Sequence, residues 1–184
     1  MSKDQVPPAQ LYASGIEGRE AEFGQSVAIV IRSLQNKSHY PHEGNDALVK
    51  MHLVALQFAK NHDLWEEFLA HDIATMEVVN RRLGKLVRDS GDKEHVMTGL
   101  TDDNTCHYQL VYDTHAEPGK RIWKSPYGRV LDVSRRIGQF DLTEQEIHER
   151  YTVPRLLGYA RAMGVKIKVS PWQDDGMITL ELDE

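Results

Sequence analysis

The fold is decided by residues 140–184, which read FDLTEQEIHERYTVPRLLGYARAMGVKIKVSPWQDDGMITLELDE. Apolar residues recur there at helical spacing in two short runs, and then alternate in two runs on either side of an acidic loop. This order predicts a helix, a tight turn, a second helix and a β-hairpin. The arrangement is that of a winged helix–turn–helix, which binds DNA, but it also fits the α/β end of an ordinary domain.

Capping residues place the ends of the two predicted helices. Thr143 and Glu146 have the spacing of a capping box, so the first helix is predicted to begin there and to end near residue 150. Thr152 is suited to cap the second helix, and Pro154 is tolerated in its first turn. Gly164 is placed to end the second helix, because glycine readily adopts the left-handed conformation that closes many helices.

The second helix is predicted to have one apolar and one polar face. Its inward face is made of Leu156, Leu157, Ala160 and Met163. Arg155, Tyr159 and Arg161 are then left facing outward. A helix that reads DNA needs exposed side chains of this kind, because arginine hydrogen-bonds both base edges and phosphates.

A further helix is predicted over residues 127–138. Its core-facing residues are expected to be Val130, Val133, Ile137 and Phe140. Its outer face is expected to carry Arg129, Asp132, Arg135 and Arg136. The candidate nucleic-acid-binding residues are therefore Arg129, Arg135, Arg136, Arg155, Tyr159 and Arg161.

The hairpin register is predicted from the apolar alternation. Pairing residues whose numbers sum to 347 places Ile167 opposite Leu180, and Val169 opposite Ile178 on the same face. The same register places Lys166 opposite Glu181 on the other face, so both faces are satisfied by one choice. The loop of this hairpin, SPWQDDG, is the predicted wing.

Charge is distributed unevenly along the chain. The net charge is −6, but residues 118–168 carry a net +6, between residues 1–117 with −7 and residues 169–184 with −5. A basic segment within an acidic chain is either a phosphate-facing patch or the internal partner of acidic parts of the same fold. A contiguous positive surface formed by Arg129, Arg135, Arg136, Arg155 and Arg161 would favour nucleic-acid binding, whereas pairing of the same residues with internal acids would favour an adaptor.

The first ninety residues are predicted to be helical. Residues 1–15 are expected to form a loose arm, and residues 16–90 a helical hairpin plus one more helix. The three helices are predicted at about 17–36, 46–60 and 63–88. The helix at 46–60 carries one apolar stripe of Leu48, Met51, Ala55 and Phe58, and another of Val49, Leu53 and Leu56. A surface that wide is buried on two sides, so the helical part is predicted to form a homodimer.

A linker is predicted at residues 91–104, because the stretch from Arg88 to Asn104 is rich in Gly, Asp, Ser and Thr and has only weak periodicity. An alternating strand follows at Cys106–Thr114, and a second, short strand begins at Lys120. The chain is therefore predicted to be an α+β protein. Its N-terminal helical part is joined to an α/β module, residues 105–184, that ends in a winged-helix-like unit of helices followed by a β-hairpin.

Three residues of the helical part resemble a catalytic metal site. A hairpin between two helices would bring His52 next to His71 and Asp72. This set resembles the site of HD-type metal phosphohydrolases, in which a His, a His-Asp pair and a later Asp bind a divalent metal that activates water. The resemblance implies a metal-dependent hydrolase. The alternative is that His52 is a satisfied core residue and that His71 and Asp72 border an interface.

Several function classes find no support in the sequence. No apolar run approaches the roughly 20 residues that cross a bilayer, Cys106 is the one cysteine, and nucleophile and phosphate-cradling motifs are lacking. We expect a cytoplasmic, non-enzymatic protein without a cofactor. The leading hypothesis is a small regulator or adaptor that binds DNA or RNA through its C-terminal half. The alternatives are a protein-binding inhibitor or assembly factor without nucleic-acid contact and, third, the metal-dependent phosphohydrolase.

Overall fold

The computed structural model describes residues 18–35, 42–102 and 114–183. The chain divides into two compact units, residues 1–44 and residues 45–184. The predicted domain boundary at residues 91–104 thus falls inside the second unit. The predicted arm at the start of the chain lies outside the described residues.

Helices and a small sheet make up the molecule, so the predicted α+β class is confirmed. The helices are α1 (Glu20–Gln35), α2 (His42–Asn61), α3 (Trp65–Ser90), α4 (Glu94–Met97), α5 (Gly128–Arg136), α6 (Glu144–Ile147) and α7 (Val153–Met163). Two π-helical turns, Thr98–Asp102 and His148–Thr152, directly follow α4 and α6. The strands are β1 (Thr114–Glu117), β2 (Lys120–Lys124), β3 (Ile167–Val169) and β4 (Met177–Leu182). In the described ranges, every helix is too short or too polar to cross a membrane.

The predicted turn between the two C-terminal helices is absent. Residues 144–163 form one continuous helix, in which α6 passes through the π-helical turn into α7. Thr152 has helical backbone angles and makes no capping hydrogen bond, so its predicted role is wrong. We attribute the π turn to Pro154, whose ring would clash in a regular α-helix with the carbonyl four residues earlier. The wider turn moves that carbonyl and lets the helix continue.

The outer ends of this continuous helix are as predicted. The Thr143 hydroxyl accepts a hydrogen bond from the backbone N–H of Glu146 at 3.0 Å, which is the predicted N-terminal cap. Gly164 follows Met163 with a φ of 80°, a left-handed conformation that closes the helix. The helix is therefore bounded where the sequence indicates, although its middle is not interrupted.

The predicted linker is part of the fold as far as residue 102. α4 and its π-helical turn cover this segment, and Val96, Met97 and Leu100 are buried. Three apolar residues are too few to reveal helical periodicity in the sequence. The strand predicted over Cys106–Thr114 lies outside the described residues except for Thr114, which begins β1.

The four strands form one antiparallel sheet in the order β1-β2-β4-β3. The β3–β4 hairpin is confirmed, but its predicted register is wrong by two residues, because Ile167 pairs with Leu182 and not with Leu180. The loop sets the register. The backbone N–H of Ser170 donates to the carbonyl of Thr179 at 2.8 Å, and the Ser170 hydroxyl accepts from the Thr179 N–H at 3.0 Å. A shift of two residues keeps each side chain on its face, so alternation alone does not distinguish the two registers.

α5 buries a face that coincides only in part with the predicted one. Val130 and Phe140 are buried as expected. Val133 and Ile137, which were expected in the core, are 59% and 73% exposed. The buried side chains are Tyr127, Val130, Leu131 and Ser134. These four lie at i, i+3, i+4 and i+7, which is a helical stripe in its own right. The sequence therefore permits two overlapping helical stripes, and the stripe that begins with the large side chain of Tyr127 is the one buried in the core.

Two clusters of buried side chains form the core of the second unit. The sheet cluster lies between the sheet, α3, α4 and α7, and contains Val87, Val96, Met97, Leu100, Trp123, Leu156, Tyr159, Ala160, Met163, Ile167, Ile178 and Leu180. The helix cluster lies between α2, α5 and the helix at 144–163, and contains Val49, Leu53, Leu56, Trp65, Tyr127, Val130, Leu131, Phe140, Leu142, Ile147 and Tyr151. α3 contributes to both clusters and so connects them.

Candidate functional site

Among the described residues, six side chains form a hydrogen-bonded network where the two clusters meet. Its members are His52, Asp72, Tyr127, Tyr151, Arg155 and Tyr159. At its centre is Asp72 of α3, whose Oδ2 accepts a hydrogen bond from the Tyr151 hydroxyl at 2.8 Å. Oδ1 of Asp72 accepts from the Tyr159 hydroxyl at 2.9 Å. Arg155 Nε lies 2.7 Å from Asp72 Oδ2 and 3.1 Å from the Tyr159 hydroxyl oxygen.

Three members of this polar network come from the continuous helix at residues 144–163. Tyr151, Arg155 and Tyr159 are spaced four residues apart, so they lie on one face of that helix. The guanidinium of Arg155 also lies over the rings of Tyr151 and Tyr159, at 5.5 and 4.9 Å from their centroids. The absence of a turn after Tyr151 is what keeps the three side chains aligned toward Asp72.

His52 of α2 extends the network from Tyr151 to Tyr127. Its Nε2 lies 3.0 Å from the Tyr151 hydroxyl, and its Nδ1 lies 2.9 Å from the Tyr127 hydroxyl. Because the Tyr151 hydroxyl donates its hydrogen bond to Asp72, its oxygen accepts a hydrogen bond from the Nε2–H of His52. Nδ1 is then the acceptor for Tyr127. When His52 is neutral, each donor in this series of hydrogen bonds, from Tyr127 through His52 and Tyr151 to Asp72, therefore has an acceptor.

Burial controls the protonation states in the network. It lowers the pKa of His52 to about 4, assisted by the Arg155 cation and opposed by Asp72. Burial raises the pKa of the Tyr151 hydroxyl and raises that of Tyr159 to about 12. Burial alone would lower the pKa of Arg155, but Tyr151, Asp72 and Tyr159 beside it raise the pKa. Asp72 and Arg155 are therefore the charge pair of the network, and its phenols and imidazole are neutral near pH 7.

The carboxylate of Asp72 is engaged by protein groups and is not among the residues that line two surface grooves. Both oxygens of Asp72 already accept hydrogen bonds from protein groups. One surface groove, of about 490 Å³, runs along α3 between Val79 and Asp89, and another, of about 470 Å³, lies beside the β1–β2 turn. Neither groove is lined by a member of the network.

The structure places the predicted nucleic-acid-binding residues in two groups. The prediction that Arg155 and Tyr159 face outward is wrong, because Tyr159 is 2% exposed and the side chain of Arg155 is 12% exposed. The exposed group consists of Arg129, Arg135, Arg136 and Arg161. Sequence reasoning missed Tyr127 and Tyr151 altogether. The spacing of Tyr151, Arg155 and Tyr159 was an available signal, but it is meaningful only if no turn follows Tyr151.

His52 and Asp72 come close together, as the predicted hairpin required, but not as metal ligands. The Tyr151 hydroxyl lies between them and bonds to both. His71 is exposed, and its backbone carbonyl accepts a hydrogen bond from the Thr75 hydroxyl at 2.7 Å. Across residues 18–35, 42–102 and 114–183, no three His, Cys, Asp or Glu side chains are grouped so as to hold a metal ion. The geometry of an HD-type site is therefore not formed by these three residues.

Known proteins give no guide to the role of the network. Comparison with protein-family models, with curated proteins and with solved structures finds no match. The function is therefore inferred from the exposed surfaces, which are the basic segment and the outer face of α2.

The basic segment at residues 118–168 pairs in part with acidic residues from elsewhere in the fold. The ion pairs are Lys120 with Glu181, Arg121 with Glu94, Arg155 with Asp72, and Lys168 with Asp183. Arg150 lies over the ring of Trp65, with its guanidinium carbon 5.2 Å from the ring centroid. Of the five arginines that were expected to distinguish an adaptor from a nucleic-acid-binding protein, Arg155 is paired with an internal acid, whereas Arg135, Arg136 and Arg161 are exposed. Internal pairing therefore favours the adaptor at Arg155 only.

The outer face of α2 is apolar and exposed. Leu48, Met51, Val54 and Phe58 are 40%, 72%, 58% and 57% exposed, and we call these four side chains the α2 face. The opposite side of the helix carries Val49, Leu53 and Leu56, which are buried in the helix cluster. Both predicted stripes are therefore present, with Val54 replacing the predicted Ala55 as the exposed residue in the middle.

Proposed function

We propose that this protein is a non-enzymatic, protein-binding adaptor that acts as a homodimer through the α2 face. One observation carries the proposal: four large apolar side chains lie exposed together on a helix whose other side is in the core. Contiguous apolar patches on folded proteins commonly mark protein interfaces, whereas single exposed apolar residues need no explanation. A non-enzymatic role is supported by the engagement of both Asp72 oxygens in hydrogen bonds from protein groups.

A second copy of the chain fits the α2 face better than a charged partner does. Between Leu48 and Phe58 the one Lys, Arg, Asp or Glu is Lys50, and the next such residue, Lys60, is paired with Glu146 at 2.9 Å. An antiparallel pairing of α2 with itself places Leu48 near the partner's Phe58. A two-fold interface uses the same patch on both protomers, so one apolar stripe is sufficient to complete it.

The expected strength of this dimer follows from the area that it covers. Complete burial of a large apolar side chain contributes roughly 1.5–3 kcal/mol. Eight partly exposed side chains would therefore contribute on the order of 10 kcal/mol. The loss of translational and rotational freedom opposes association by an amount of similar size. We expect a dissociation constant in the micromolar range.

Nucleic-acid binding is the less supported alternative. Two of the three side chains on its predicted recognition helix, Arg155 and Tyr159, are occupied in the polar network. The loop between β3 and β4 presents the exposed acidic residues Asp174 and Asp175, which repel phosphate. Such binding would have to rely on the exposed arginines of α5 and on Arg161.

The decisive experiment is sedimentation of the full chain over a range of about 1–100 μM, which brackets the expected constant. We expect the wild type to pass from monomer to dimer within this range. The double variant Met51→Glu/Val54→Glu should remain a monomer, because two-fold pairing would bury four carboxylates. Val78→Glu is the matched control, because Val78 lies on α3 and is 73% exposed; it should dimerise like the wild type.

A monomeric wild type at the highest concentration would contradict the proposal, as would a double variant that still dimerises. Titration of a fluorescent random DNA duplex at about 50 mM salt, where phosphate contacts are strong, tests the alternative. Binding by the wild type that is lost in Arg135→Ala/Arg136→Ala would replace the adaptor by a nucleic-acid-binding protein.

A further inference from the structure

We infer that α5 carries a second interaction surface, whose partner is an acidic amphipathic helix of another protein. We call this surface the α5 face, and it consists of Arg129, Val133, Arg136 and Ile137. It goes beyond the adaptor proposal, because it does not require the α2 face or a dimer.

The geometry of α5 brings apolar and basic side chains together on one exposed strip. At 100° per residue, Arg129, Val133 and Arg136 lie within about 60° of one another on the helix surface, and Ile137 continues the strip. The buried side chains of α5, Val130, Leu131 and Ser134, lie on a different side of the helix from this strip. Val133 is thus exposed between Arg129 and Arg136, and Ile137 is exposed directly after Arg136, although both are aliphatic.

The charge of this strip defines the partner. Arg136 is exposed in the last turn of α5 and has no ion-pair partner among the residues that the structure describes, and Arg129 at the other end of the strip is also exposed. In contrast, Lys120, Arg121 and Arg155 of the same basic segment are each paired with an acid. A surface that combines aliphatic side chains with arginine is complementary to aliphatic side chains flanked by Asp or Glu.

Two other classes of partner fit the strip less well. Phosphate recognition requires the arginines, but it gives no reason for two aliphatic side chains that are more than half exposed. Helices that lie on a lipid surface present a broad apolar face with large side chains such as Trp, Phe and Leu. α5 has nine residues, two exposed aliphatic side chains at its outer side and an acidic residue, Asp132, next to them. A helix of two to three turns from a protein matches this size.

The test selects peptides from an unbiased library on the full chain. Random displayed peptides of about four helical turns are long enough to cover α5. We expect the selected peptides to combine aliphatic residues spaced three or four apart with two or more acidic residues. The strongest of them, made synthetically, should bind Val133→Ala/Arg136→Ala at least tenfold more weakly than the wild type, and its affinity should fall as salt is raised.

The control is Val78→Ala/Arg81→Ala, which makes the same two substitutions at exposed positions of α3 and should bind the peptide like the wild type. The monomeric variant Met51→Glu/Val54→Glu should also bind it, so failure of the dimer proposal does not affect this result. Failure to select any peptide overturns the inference, as does a selected peptide that binds the α5 variant and the wild type equally. Anionic lipid vesicles and duplex DNA are tested in parallel, and α5-dependent binding to either would overturn the assignment of a protein partner.

Discussion

The side chain of Asp72 combines two phenol hydrogen bonds and a guanidinium ion pair in a mostly buried setting. The transfer of two charges from water into the protein is unfavourable in free energy. Their mutual attraction offsets this desolvation only if the remaining hydrogen-bonding groups are also satisfied. Tyr151 and Tyr159 supply those bonds. At the scale of single residues, Asp72 therefore selects one arrangement of the helix that packs on α3.

The first prediction concerns the loss of that charge. Asp72→Asn leaves the buried Arg155 without its anion, and we expect the free energy of unfolding to fall by about 3–5 kcal/mol. Asp89→Asn is the control, because Asp89 lies on the same helix in an exposed pair with Lys85, and its loss should cost less than about 1 kcal/mol. Urea denaturation of both variants measures the difference. Equal, small losses would contradict the role of Asp72.

The second prediction concerns the pH dependence of stability. His52 has a pKa of about 4 in the folded protein and an ordinary value near 6.5 when unfolded. Between these values the unfolded state binds the proton first, so the free energy of unfolding should decrease as the pH falls from about 6.5 to 4. The decrease due to His52 is up to about 3 kcal/mol. Arg155 disfavours the charged imidazole, whereas Asp72 favours it; Tyr127 and Tyr151 face the two ring nitrogens.

Denaturation of His52→Gln over this pH range provides the check. Its stability should be lower than that of the wild type at pH 7 but less dependent on pH. His71→Gln, at an exposed position on α3, should retain the pH dependence of the wild type. If both variants keep the same slope, His52 is not the titrating group.

At the scale of elements, the helix at residues 144–163 shows which structural features the sequence predicts and which it does not. Its cap at Thr143 and its end at Gly164 depend on local spacing, and both predictions are confirmed. The continuity through Pro154 depends on tertiary contacts, because Tyr151 and Tyr159 are held by Asp72, 79 and 87 residues away in the chain. No local pattern contains that information. The same limit explains the missed face of α5, where two helical stripes were equally permitted.

The third prediction concerns the contact between α3 and α7. A Cβ atom at Gly84 would lie 2.4 Å from the backbone oxygen of Met163, whereas one at Gly158 would lie 2.5 Å from the terminal methyl of Ile73. Backbone cannot move aside as a methyl group can. We expect Gly84→Ala to lower the free energy of unfolding by about 1–3 kcal/mol. For Gly158→Ala, the gain in helix propensity of roughly 1 kcal/mol should offset much of the crowding. Thermal or urea denaturation that ranks them in the opposite order would contradict this account.

The whole molecule has a net charge of −6, but the α2 face and the α5 face do not share its excess of acidic residues. The α2 face is nearly free of charge, and the α5 face carries Arg129 and Arg136. Composition alone indicated the basic segment, but it did not reveal which bases are paired internally. The sequence also predicted both stripes of α2, because a stripe depends on spacing alone.

The fourth prediction follows from the dimer. If two copies associate through the α2 face, the thermal midpoint of the wild type should rise by a few degrees for each tenfold increase in protein concentration. The reason is that each copy associates only with a folded partner, so association stabilises the folded state. The midpoint of Met51→Glu/Val54→Glu should not depend on concentration. Calorimetry at several concentrations distinguishes the two. A wild-type midpoint that stays constant would indicate that the α2 face does not associate.

The long separation between Asp72 and its tyrosines also has a consequence during synthesis. At roughly 5–20 residues per second, about 4–17 s pass between the addition of Asp72 and that of Tyr159. During this interval α2 and α3 have emerged without the hydroxyl and guanidinium groups that later surround the carboxylate. We expect the nascent helices to keep Asp72 and His52 in contact with water, and the second unit to close only after the last helix has been translated.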